Sequence, residues 1–282
     1  MASINIHVLH TGKVCVAPEL PFGGEYCTPV QAAGIFADKS KRIWVPVSVY
    51  LIEHPKGRVL VDCGWHRDMS PQGVLDKRAQ IKSLGSYILY QTNQGIVPPG
   101  QAVDEQLRRM GLADTDLDYV LLTHLDCDHA NGLRLVRGAK RILVAGEELA
   151  CAKKHGLFRY RKAWWEGVPL QPIPWNGTEG PAGHSHDLFG DGTVTLIHIP
   201  GHSDGMTAVR IRNAEGKFVL LCADGGYAEK SWQKMIVSGI ATDRKQQRES
   251  LEWIRAQSQD ASCVRLLASH DAGVEPQTIT LP

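Results

Sequence analysis

His124, Asp126, Asp128 and His129 put four metal-ligand side chains within six residues, directly after the apolar run Leu117–Thr123. Three later apolar runs each end on another candidate ligand: Val194–Pro200 before His202, Phe218–Ala223 before Asp224, and Val264–Ser269 before His270. Groups this far apart in the chain can meet if neighbouring strands deliver them to one edge of a sheet. Imidazole and carboxylate donors in such a set suit a first-row transition metal. On an extended segment His124 and Asp126 face the same side, whereas the adjacent Asp128 and His129 diverge. The pattern therefore predicts two metal positions. Two-metal hydrolytic sites space their ions roughly 3.5–4 Å apart, and Asp224 is the candidate carboxylate to bridge them.

The surrounding pattern fits this placement. Val45–Ile52 is β-branched and loosely alternating, Pro55-Lys56-Gly57 turns, and Arg58–Asp62 returns, which predicts a β-hairpin. Helices are predicted near Val74–Leu84, over Val103–Gly111 and over Gln246–Ala256, and strands over Tyr119–Thr123, Arg141–Ala145 and Val264–Leu267. Alternation of strands and helices argues an α/β layered fold. Residues 1–282 read as one domain, with loop excursions near 67–100 and 146–187 that shape a pocket.

Charge and composition narrow the partners. Lys and Arg total 31 against 30 acidic residues, so the formal net charge of +1 gives no electrostatic reason to expect nucleic acid. No apolar run reaches the ~18 residues of a membrane span. Seven scattered cysteines without a CxxC argue against a disulfide framework and for a reducing, cytoplasmic setting. A small molecule is the expected partner. The sequence leaves oligomeric state open.

These residues resemble the metallo-β-lactamase superfamily, whose His-x-His-x-Asp-His run is followed by a distant His, a bridging Asp and a last His. The positions here are His124, Asp126, Asp128, His129, His202, Asp224 and His270, with Leu60-Val-Asp62-Cys-Gly64 and Pro200-Gly201-His202-Ser203-Asp204-Gly205 in support. The resemblance implies an αββα four-layer sandwich with the metal site at one edge. Within the superfamily the chain is most similar to N-acyl-homoserine lactone lactonases. That similarity implies two divalent metals, zinc first, and opening of a lactone or similar ester by a hydroxide held between them. Asp128, Asp224 and Tyr227 then carry the catalytic roles, Tyr227 as donor to the developing oxyanion.

One residue departs from the pattern: Asp126 stands where the second His is expected. A third carboxylate makes the centre less positive and a weaker Lewis acid. It also admits iron or manganese, and with them two alternative functions: a di-iron redox or oxygen-handling site of flavodiiron type, or a non-catalytic metal-binding protein. A separate reading takes Gly201-His-Ser203-Asp-Gly205 as a serine-hydrolase elbow, with Ser203, Asp224 and His270 as the triad. It requires a helix after Ser203, yet Met206–Arg212 alternates like a strand. Asp62 is expected to end its strand and support the site by hydrogen bonds, Cys127 to be a buried spacer, and His184-Ser-His186 to lie in a loop near the pocket.

Overall fold

The computed structural model describes residues 3–156 and 159–282. Among the described residues thirteen strands form two sheets: β1 Ile4–Val16, β2 Ile43–His54, β3 Gly57–Val61, β4 Gln94–Ile96, β5 Tyr119–Leu121, β6 Arg141–Val144, β7 Leu170–Pro172, β8 Ser185–Asp187, β9 Val194–His198, β10 Thr207–Arg212, β11 Phe218–Ala223, β12 Cys263–Ala268 and β13 Gln277–Leu281. The first sheet runs β13-β1-β2-β3-β5-β6-β7, with β4 also paired to β1; the second runs β12-β11-β10-β9-β8. The predicted hairpin is β2–β3, antiparallel with Tyr50 opposite Val61. From β3 through β7 the first sheet is parallel.

Side-chain alternation divides each strand between two cores. Leu51, Leu60, Val120 and Ile142 face outward onto helices, in a cluster with Trp65, Leu84, Leu107 and Trp164. Their neighbours Ile52, Val61, Leu121 and Leu143 face inward and meet Leu196, Val209, Val219 and Leu221 of the second sheet. On the far side Ile197, Ala208 and Leu220 pack beneath Trp232, Leu251 and Ile254. Three cores require four layers, so the αββα sandwich follows from the alternation. Strands covered on both faces also read as continuous apolar runs, which is how they appear in the sequence.

The predicted helices occur as Lys77–Leu84, Val103–Arg109 and Arg244–Ser258. The excursions hold more regular structure than their composition suggested. Helix Tyr87–Thr92 lies in the first, and helix Gly146–His155 with β7 and β8 lies in the second. Met69, Leu84 and Tyr160 from these stretches are buried in the outer core. Among the described residues no helix is long and apolar enough to cross a membrane, and all seven cysteines are free thiols.

The strand directions position the ligands. β9 and β11 each run antiparallel to β10, and β12 runs parallel to β11. The C-terminal ends of β9, β11 and β12 therefore share one edge, and His202, Asp224 and His270 follow them there. Bonds between the sheets hold that edge to the end of β5 and to β2. Thr207 N donates to Thr123 O at 3.0 Å, Ser48 N to Ser269 O at 2.9 Å, and the Tyr50 hydroxyl to Ala268 O at 3.0 Å.

Leu121 is 1% exposed between the two sheets. Leu121→Ala is expected to lower stability by about 2–5 kcal/mol, read as a fall in the urea midpoint with an unchanged denaturant slope.

Candidate metal centre

Every histidine of the predicted set is anchored through Nδ1 to an oxygen of the scaffold. His129 Nδ1 donates to Asp62 Oδ2 at 2.8 Å, and His270 Nδ1 to Pro46 O at 2.7 Å. His202 Nδ1 donates to Ile240 O at 3.1 Å. The Thr123 hydroxyl gives its proton to Asp62 Oδ2 at 2.8 Å and so accepts from His124 Nδ1 at 3.1 Å. These partners assign the tautomers and leave all four Nε2 lone pairs pointing inward.

The inward atoms are electron-rich and close. Asp224 lies between two groups: Oδ1 is 3.4 Å from His129 Nε2 and 3.3 Å from His270 Nε2, while Oδ2 is 3.9 Å from both His124 and His202 Nε2. Asp128 Oδ2 is 3.4 Å from His270 Nε2. Asp126 Oδ2 is 3.3 Å from His124 Nε2 and 3.0 Å from His202 Nε2. His124 Nε2 and Asp224 Oδ1 are buried without a hydrogen-bond partner. Buried polar atoms are rarely left so. Lone pairs and carboxylates converging in this way need positive charge among them, and donors of this kind suit a divalent cation. Asp128, His129 and His270 form one group with metal-compatible spacing, and His124, Asp126 and His202 form another.

The charges act strongly on one another. Burial pushes the Asp224 carboxyl up, but His270 and His129 outweigh it and hold it well below the usual range. Burial works against protonation of His129, and Asp224 and Asp62 reverse that and raise it. His202 differs: burial and the neighbouring Arg159 bring it down to about 4, so it stays a neutral donor.

Three supporting groups hold the loops. Asp62 ends β3 with φ of 62°, a backbone state that costs a non-glycine residue roughly 1–2 kcal/mol. There it also accepts from Thr123 N at 2.8 Å, as its predicted supporting role requires. Glu148, fully buried, accepts from Leu125 N at 2.9 Å and Gly205 N at 3.1 Å, tying the His124 loop to the His202 loop. Gly201 has φ of 131°, and a Cβ there would lie 2.1 Å from Gln247 N. Only glycine lets the His202 loop pack this closely on helix Arg244–Ser258.

A cavity of about 400 Å³ opens over the centre. Asp126, Asp128, Arg159, Tyr227 and His270 line its floor, and Val14, Val16, Leu20, Val45, Leu89 and Ile240 its wall. Both excursions contribute, through Leu89 and Arg159. The tryptophans stand elsewhere: Trp65 and Trp164 are core residues, and Trp175 stacks on His198. Tyr227 stacks on His270 at 5.2 Å between ring centroids. Burial and the nearby Asp224 raise its phenol well above the ordinary value, so it remains a proton donor.

Two sequence readings resolve differently from the main set. Ser203 is followed by β10, not a helix, and His270 Nε2 faces Asp224 and Asp128. The serine triad therefore does not form. His184-Ser-His186 is not a loop at the pocket: Ser185–Asp187 is strand β8, neither histidine lines the cavity, His184 stacks on His198 at 5.8 Å and His186 bonds Asn176. Cys127 is buried, and burial with Asp128 keeps its thiol protonated. Arg159 and Glu148 were not anticipated. The surplus carboxylate at Asp126 was the one signal that a cation should stand beside it.

Two back-to-back mixed sheets flanked by helices, with imidazoles and carboxylates gathered at the strand ends, define a metal-binding αββα protein. The chain belongs to the metallo-beta-lactamase superfamily, whose family model matches residues 42–257. The N-acyl homoserine lactonase AttM of Rhizobium radiobacter is 24% identical over 231 residues, covering 78% of this chain and 81% of that protein. The N-acyl homoserine lactonase of Bacillus cereus is 25% identical over 193 residues, 67% of each. A solved N-acyl homoserine lactone hydrolase, with N-hexanoyl-L-homoserine at its catalytic metal centre, superposes with a TM-score of 0.74 at 20% identity, over 97% of this chain and 95% of that one. The structural likeness establishes the fold.

Asp62→Asn replaces an acceptor shared by Thr123 and His129 with a group that cannot serve both. Metal affinity is expected to fall by about 10–100-fold, measured by competition with a chromophoric chelator.

Proposed function

We propose that this chain is a metal-dependent hydrolase that opens a lactone, with N-acyl homoserine lactones the leading substrate class. The observation that carries the reading is a convergent imidazole–carboxylate centre at the foot of an apolar cavity, with a protonated phenol alongside. The curated relatives named as N-acyl homoserine lactonases support the substrate class. A polar floor suits the lactone ring, and the apolar wall suits an acyl chain.

His124, Asp126, Asp128, His129, His202, Asp224 and His270 are the proposed metal-holding residues. Zinc is the first candidate, with iron and manganese compatible with the same donors. AidC, a structural neighbour with a TM-score of 0.61, is described as a dizinc lactonase. Seven donors suffice for two cations; whether both positions fill depends on Arg159. A bound divalent cation supplies Lewis acidity, which polarises a carbonyl and acidifies water.

The chain's own groups do the rest. The reaction adds water to the ring carbonyl carbon, breaks the carbon–ring-oxygen bond, and leaves a carboxylate and a hydroxyl. Tyr227 donates a hydrogen bond to the carbonyl oxygen as negative charge develops there. Asp128 borders the cavity floor and takes the proton from water, then returns one to the leaving oxygen. Asp224, buried beneath both histidine pairs, holds its charge and orients the centre. The walls exclude bulk water, which strengthens each of these interactions. A reducing cytoplasm suits the unpaired thiols.

Metal-quantified protein is expected to open N-acyl homoserine lactones, with the ring-opened acid detected by mass spectrometry. Protein that retains metal yet turns over no lactone, while cleaving another ester class, would overturn the assignment. Tyr227→Phe is expected to lower kcat on the order of 10²-fold with metal content unchanged.

A further inference from the structure

The group His124, Asp126 and His202 already has a cation in it, and the cation is a side chain. Arg159 Nε donates to Asp126 Oδ1 at 2.6 Å, and Nη2 donates to Asp126 Oδ2 at 2.7 Å. The same Nη2 lies 2.8 Å from His202 Nε2, and Nη1 donates to His202 O at 2.8 Å. The Asp126 contact is bidentate, the geometry in which a guanidinium binds a carboxylate most strongly. His202 donates through Nδ1 to Ile240 O, so the lone pair that accepts from Arg159 is the one a metal would use.

Asp126 Oδ2 and His202 Nε2 are 3.0 Å apart and both electron-rich. Arg159 Nη2 satisfies both at once. The side chain is 11% exposed, so water screens the pair little. Nothing comparable stands at the other group. The inward atoms of Asp128, His129 and His270 face one another and Asp224, and among the described residues no Lys or Arg pairs with them.

Charge counting points the same way. Arg159 neutralises Asp126. Asp128 and Asp224 remain, and together they balance one divalent ion. A second divalent ion at Asp126 would have to share that carboxylate with a guanidinium in direct contact with it. A neutral histidine at position 126 would leave Arg159 without the carboxylate it binds in bidentate fashion, so the departure at Asp126 and the presence of Arg159 explain each other.

We propose that Arg159 takes the place of one of the two cations: the chain holds a single divalent ion, at Asp128, His129, Asp224 and His270, and the guanidinium supplies the second positive charge. This deepens the hydrolase reading and rests on it. Arg159 also lines the cavity floor, so its charge faces the space where a substrate carbonyl would sit.

The test is ion count, not turnover. Metal-depleted wild-type protein is titrated with zinc by calorimetry and with cobalt(II) by absorption, and bound metal is quantified after gel filtration. One ion per chain is expected. His124→Ala should keep that ion, and His270→Ala should lose it. Arg159→Met frees the His202 imidazole and the Asp126 carboxylate beside the unpartnered His124 Nε2 and should bind two ions. Should Arg159→Met not fold with Asp126 left uncompensated, the double variant Asp126→His/Arg159→Met removes the stranded charge and should also bind two. Two ions of similar affinity in the wild type would overturn the substitution while leaving the hydrolase reading intact. No binding of either metal to folded wild type would overturn both.

Discussion

The site depends on the direction in which its imidazoles face. Each of His124, His129, His202 and His270 spends its Nδ1 proton on a scaffold oxygen, which turns four lone pairs toward one point. None of those oxygens is incidental. Asp62 and Thr123 sit where β3 and β5 end side by side, Pro46 O belongs to the neighbouring β2, and Ile240 O lies in the loop before the last long helix. The hydrogen-bonded shell is thus part of the sandwich, and the arrangement of the metal donors is fixed by the same packing that makes three cores from two sheets. Repulsion among Asp126, Asp128 and Asp224 is the cost of this convergence, and it sets the requirement for positive charge.

Two different cations can meet that requirement: a guanidinium occupies one half, and a divalent ion is proposed for the other. On the side of His129 and His270, among the described residues, no Lys or Arg pairs with the carboxylates. On the side of His202 a guanidinium fits a carboxylate, a ring nitrogen and a carbonyl at once. A guanidinium is planar, permanently charged and weakly hydrated, so it fills such a place without the coordination demands of a metal. It also leaves no open coordination position, which distinguishes the two halves chemically.

Much of this was legible in the chain. The hairpin β2–β3, the strand before the His124 cluster and the helix near the C-terminus are set by local periodicity, which sequence displays directly. The ligands were legible because each closes an apolar run. Helix Gly146–His155 was not: its first residue is glycine, its N-cap Ala145 provides no side-chain cap, and nearby tryptophans and prolines made the stretch read as loop. Arg159 and Glu148 were invisible for a different reason. Their importance is wholly tertiary, since one touches Asp126 and the other bridges two loops, and neither stands at a telling spacing. The cavity wall was likewise hidden, because Val14, Leu89 and Ile240 meet only in the folded chain.

The cavity divides its labour between wall and floor. Its wall comes from β1, the start of β2, the stretch around Leu20, helix Tyr87–Thr92 and Ile240, whereas its floor comes from loops after β5, β11 and β12 and from Arg159, which follows helix Gly146–His155. Of the wall residues only Ile240 bonds an imidazole of the set, and it does so through its backbone carbonyl, not its side chain. Exchange of a single aliphatic side chain along the wall therefore reshapes the apolar space above the centre while leaving the imidazoles where they stand.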